Sequence, residues 1–101
     1  MKNPLYIYIF VRKDLPSKEQ ICVQTAHASM EAGIYFGKKT AEPYYFALLE
    51  VDDEEVLKGA MGRCDYNDVQ YRAFVEPDLN YTFTAMATEP MTKEHGKIFK
   101  D

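Results

Sequence analysis

Tryptophan is absent from this 101-residue chain, cysteine occurs twice, and glycine and proline five times each. The five glycines are scattered, so no glycine-rich phosphate loop is present, and neither a Ser-His-Asp arrangement nor a paired-carboxylate spacing stands out. Cys22 and Cys64 lack CxxC spacing and have no His nearby in sequence, which argues against a metal site or a disulfide framework. Free thiols fit a reducing, cytoplasmic compartment. No apolar stretch is long enough to span a bilayer, so no membrane partner is expected. The opening MKNPLYIYIFV lacks a small-residue cleavage site and reads as a first strand rather than a signal peptide. Excess positive charge is also missing: the net charge of −4 gives no global attraction to nucleic acid.

What is present is the composition of a folded domain, 47% hydrophobic and 28% charged, with eight Tyr and six Phe. A chain this short holds one core, so residues 1–101 form a single domain. Charge is unevenly spread, and residues 1–40 carry six basic against three acidic side chains. That balance permits an N-terminal surface that faces anions, and a solvated charge mosaic explains it as well.

The run Leu5 to Val11 (LYIYIFV) suits a strand covered on both faces, central in its sheet. Pro16 biases Leu15 away from helical angles, and Ser17 with Gln20 three residues on matches a capping box. A helix is expected from Lys18 to Tyr35, closed by a left-handed Gly33 or Gly37. Ile21, Thr25, Ala28 and Ala32 give it a mostly small face that can lie close to a sheet. Gln20, Gln24, His27 and Glu31 form a second, polar stripe that should project into one region.

After the loop GKKTAEP, a second strand is expected over Tyr44 to Val51. Asp52 is the expected cap of a second helix running from Asp53 to about Arg63. Asp68 to Val75 and Tyr81 to Thr88 read as a closing hairpin, and the polar tail as room for one short helix. The order β-α-β-α-β-β predicts a three-layer α/β fold around a mixed four-stranded sheet.

The segment IYIFVRKDLPSKEQICVQTAHASMEAG, Ile7 to Gly33, resembles the N-terminal signature of type 2 peptidyl-tRNA hydrolases through Arg12, Asp14, Leu15, Lys18, Gln24, His27 and Ala28. FVEPDLNYTFTAMATEP, Phe74 to Pro90, is similar to that family's strand, acidic turn and closing strand. This part is especially similar to the divergent peptidyl-tRNA hydrolase domain-containing branch, in which the loop before the last strand is shortened. The resemblance covers somewhat under half of the chain and implies an α/β fold of that family, no metal or cofactor, and cleavage of the ester between a peptide and a tRNA 3′ end.

Such chemistry positions a water, removes its proton and stabilises charge on the carbonyl oxygen. The resemblance implies a Lys near the first turn of the long helix, a carboxylate after the third strand and a Thr near the last. The Lys position falls on Gln20, with Lys18 half a turn away; the carboxylate falls on Glu76 or Asp78, and the Thr on Thr82 or Thr84. The site is therefore degenerate, since Gln supplies an amide donor but no charge. Arg12, Lys13, Asp14, Gln24 and His27 are the expected substrate-binding residues. Each has a plainer role open to it: solvated loop charges for Arg12 and Lys13, a hydrogen-bonding brace for Gln24 and His27, a strand end for Glu76. The alternative function is a catalytically inactive module of the same fold that binds a tRNA acceptor end or a protein. A homodimer is a third reading, in which adjacent aromatics such as Tyr44, Tyr45 and Phe46 build a face between copies.

Overall fold

The computed structural model describes residues 4–38 and 43–100. The sequence elements Lys39 to Glu42 of the first loop, residues 1–3 and Asp101 lie outside the described residues. The chain is an α/β protein with a mixed sheet. Strand β1 (Leu5–Arg12) is followed by helix α1 (Lys18–Phe36), strand β2 (Tyr45–Val51) and helix α2 (Glu54–Tyr66). Strands β3 (Tyr71–Glu76) and β4 (Thr82–Thr88) then flank a 3-10 turn at Pro77–Leu79. A two-residue strand β5 (Met91–Thr92) and a 3-10 turn at His95–Phe99 close the chain.

The sheet order is β2-β1-β4-β3, with β5 also paired to β1. β1 runs parallel to β2 and antiparallel to β4 and β5, while β3 and β4 form the expected antiparallel hairpin. Among the described residues the sheet thus has five strands instead of the four expected. The extra one arises because β4 leaves β1 at Thr88, and the chain returns three residues later to pair Met91 with Tyr6. At the break the Thr88 side chain takes the place of a carbonyl, its Oγ1 accepting from the Tyr8 amide at 3.0 Å.

β1 is interior because both its faces are apolar. Ile7, Ile9 and Val11 join Ala28 and Ala32 of α1 and Ala85 and Ala87 of β4 in one buried cluster. The alanines let the helix lie close to the sheet. Phe10 points the other way, into a second cluster with Leu57 and Cys64 of α2, Val69, Met86 and Met91. Burial pushes the Cys64 thiol up to about 12, so it stays protonated. Among the described residues no helix is long and apolar enough to cross a membrane.

Several boundaries differ from the sequence reading for local reasons. Ser17 caps α1 as expected, accepting from the Gln20 amide at 3.1 Å. The closing glycine is not left-handed: Gly37 has φ −70°, and its amide donates to Gly33 O at 3.1 Å. For α2 the cap is Asp53, one residue beyond the expected Asp52, accepting from Val56 N at 3.0 Å. Asp52 instead pairs with Lys13. α2 also runs on to Tyr66, and β3 begins at Tyr71 rather than Asp68, whose φ of 58° interrupts any strand there. The tail turn passes close to the sheet at Gly96, where a Cβ would collide with the Tyr8 hydroxyl.

These contacts predict opposite outcomes at three positions, to be read by thermal unfolding. Leu57→Ala, which opens a cavity beneath α2, should cost about 2–5 kcal/mol. Gly96→Ala should cost about 1–3 kcal/mol, because the ring of Tyr8 must move. Gly59→Ala, on α2 with open space at its Cβ, should raise stability by about 0.5–1 kcal/mol.

Candidate functional site

The polar stripe of α1 lies along β3. Gln24 is fully buried, and its carboxamide is used at both ends. Its Nε2 donates to Glu76 Oε1 at 2.8 Å and reaches Gln20 Oε1 at 3.4 Å. Its Oε1 accepts from the Thr84 hydroxyl at 2.7 Å, and the Phe74 carbonyl lies 3.4 Å from the same hydroxyl oxygen. One turn further on, the His27 ring stacks on Phe74 with centroids 4.2 Å apart and planes 3° from parallel. At the next turn Glu31 pairs with Arg72 at 3.5 Å, and the Arg72 guanidinium sits 3.7 Å from the centre of the Tyr35 ring.

Glu76 ends β3 and caps the 3-10 turn, its Oε2 accepting from Asp78 N at 3.2 Å. The Gln24 amide, the Asp78 amide and the nearby His27 together hold its carboxyl below the usual glutamate range despite partial desolvation. It is therefore an ionised carboxylate near neutral pH. The amide NH2 of half-buried Gln20 has no hydrogen-bond partner among the described residues, so a donor stands on the same side of α1 as this anion. The opening turn of α1 and the bend ahead of β4 thus meet in space.

Other candidates stand apart or are already occupied. Lys18 lies on the opposite flank of α1, in a groove with Phe46, Leu48 and Glu50, because two residues along a helix rotate a side chain by about 200°. Asp78 is exposed and contributes its backbone amide. Thr82 donates to Leu79 O at 2.7 Å and accepts from Arg12 Nη1 at 3.2 Å. Arg12 also grips Asp14 with two bonds of 2.8 and 3.0 Å and donates to the Phe83 carbonyl. Asp14 is in turn held below its ordinary range by the Arg12 hydrogen bond. Lys13 pairs with Asp52 at 2.9 Å.

Three neighbours of the site were not singled out by sequence: Phe74, Arg72 and Tyr35. Only the first lay within the quoted resemblance, and none has a signal that would place it against His27 or Glu31 before the sheet order is known. No group of three His, Cys, Asp or Glu is placed to hold a metal among the described residues. A scan against protein-family models and a search of curated proteins both found no match to this chain.

Because the Glu76 value is lowered in the native state, its stabilising effect is fully present above the unfolded-state value and is lost as pH falls through the native one. By NMR titration Glu76 should ionise below the ordinary glutamate range in the wild type and closer to it in Gln24→Met. The stability gap between these two proteins should narrow as the pH is taken down through that window.

Proposed function

We propose that the chain adopts the three-layer arrangement of type 2 peptidyl-tRNA hydrolases and acts as an ester hydrolase on peptidyl-tRNA or a related 3′-acylated nucleotide, in the cytoplasm. The observation that carries this reading is the convergence of Gln20, Gln24, Glu76 and Thr84 from regions of the chain that each resemble that family. Glu76, anionic and fixed by two donors, keeps lone pairs free to orient a water and accept its proton. The free amide of Gln20 is the donor for the oxygen that becomes negative when that water adds to the ester carbonyl. Thr84 does not reach substrate, since its hydroxyl is buried and committed to Gln24; it is a positioning residue.

A second reading, a non-catalytic module that binds a tRNA acceptor end or a protein, is favoured by a specific feature. Among the described residues no lysine joins this cluster: Lys18 is on the far flank of α1, and Lys13 is paired with Asp52. A carboxylate held low is also a modest base, so the expected hydrolysis is slow.

The deciding measurement is peptide release from a short peptidyl-tRNA mimic. The wild type should exceed a Gln20→Ala, Glu76→Ala double variant by about 100-fold or more. Equal rates defeat the hydrolase reading. Gln20→Lys should then raise the rate further by placing a charge beside the carbonyl oxygen, and a folded Gln20→Lys protein with no gain would leave the binding module as the better account.

A further inference from the structure

The C-terminal tail folds back onto the α2 side of the sheet. Phe99 packs against Phe10 with ring centroids 4.8 Å apart and against Tyr8 at 5.3 Å. Leu49, in register with Phe10 on edge strand β2, joins Tyr8 and Phe99 around the cluster beneath α2. Between these side chains and the tail turn lies a cavity of about 410 Å³, with Tyr8, Leu49 and Phe99 on its inner wall and the exposed Lys93, Lys97 and Lys100 at its rim. Residues 93–100 thus bring three lysines and one glutamate to a protein whose net charge is −4. Glu94 pairs with Lys97 at 3.2 Å, and among the described residues Lys93 and Lys100 form no ion pair. Lys97 lies three residues from Lys100 across a 3-10 turn, where side chains at that spacing eclipse, so the local fold gains nothing from gathering these charges. Tyr8 is also only partly used. Its amide is taken up by Thr88, while its hydroxyl stands against Gly96 and makes no hydrogen bond among the described residues.

We infer that this cavity is a binding site for a phosphate monoester carried on a flat aromatic body, the chemistry of a nucleoside monophosphate. Its volume falls within the range of about 300–1,000 Å³ usual for small-molecule sites. The lining divides as such a ligand requires. Two aromatic rings and a leucine form an apolar wall for a base, and three ammonium groups surround the position of its phosphate. Lysines serve a phosphate dianion as point charges, whereas a planar carboxylate is matched by the fork of an arginine, and no arginine is among the described residues lining the cavity. A bound dianion also removes the repulsion among the lysines, and the Tyr8 hydroxyl is left for a polar group of the ligand. Gln24 and Glu76 lie beneath α1 on the other face of the sheet, so this site is separate from the one proposed for hydrolysis and does not depend on it.

Adenosine monophosphate titrated into the full chain and followed by amide NMR should shift Gly96 and Phe99 saturably below millimolar concentration. Adenosine and inorganic phosphate, the two halves of that probe, should each bind roughly 10-fold or more weakly. A Lys93→Ala, Lys100→Ala double variant should lose roughly 10-fold or more in affinity for the nucleotide and none for adenosine. Lys58→Ala, at an exposed position on α2 outside the cavity, should leave nucleotide binding unchanged. Added salt repeats the test on the unaltered protein, and should weaken the nucleotide while sparing adenosine. The proposal is overturned if Gly96 and Phe99 do not shift, or if the shifts fall at Gln20, Gln24 and Glu76 instead. It is equally overturned by a nucleotide that binds no more tightly than either of its halves, or by a folded double variant that binds it as well as the wild type does.

Discussion

The side-chain amide of Gln24 ties together three elements, α1, β3 and β4, at a single buried point. A fully buried carboxamide is costly unless its donor and acceptor ends are both satisfied. Here the donor end takes Glu76 and the acceptor end takes Thr84, so α1, the end of β3 and the middle of β4 are held in one register. The same bonds position the carboxylate of Glu76 and help keep it ionised. Structure and ionisation at this site are therefore coupled: a change at Gln24 removes a brace between helix and sheet and lets the Glu76 carboxyl move back toward the ordinary glutamate range.

A second brace works from the other side of the bend. Arg12 uses its planar fork to hold Asp14 with two bonds, and its remaining terminal nitrogen reaches Thr82 and the Phe83 carbonyl. With Thr82 donating to Leu79 O, the turn between β3 and β4 is fixed to the end of β1. Asn80 and Tyr81 both have positive φ there, a conformation that non-glycine residues adopt at a cost. The Arg12 and Glu76 contacts on either side are what hold that turn in place.

Much of this arrangement was legible in the sequence. The unbroken run LYIYIFV announced an interior strand, Ser17 and Gln20 announced the start of α1, and the Gln20, Gln24, His27 and Glu31 spacing announced a shared face. What was not legible followed from contacts between distant residues. Gln24 is sixty residues from Thr84, and the pairing of a side-chain amide with one particular hydroxyl has no local signature. The two adjacent aspartates, Asp52 and Asp53, are equivalent as caps by composition, and only the Lys13 contact draws the first away. β5 is too short for periodicity to reveal, and exists because Thr88 ends one pairing and allows another.

The placement of β1 has a consequence for how the chain is made. Its neighbours across the sheet include β4 and β5, and the amide of Tyr8 is satisfied by a residue eighty positions later. β1 therefore emerges from the ribosome well before the strands that complete its pairing. Until then it can pair with β2 alone, and its side turned toward β4 stays open as an apolar edge. During synthesis β1 therefore keeps this apolar edge unpaired until β4 and β5 have emerged.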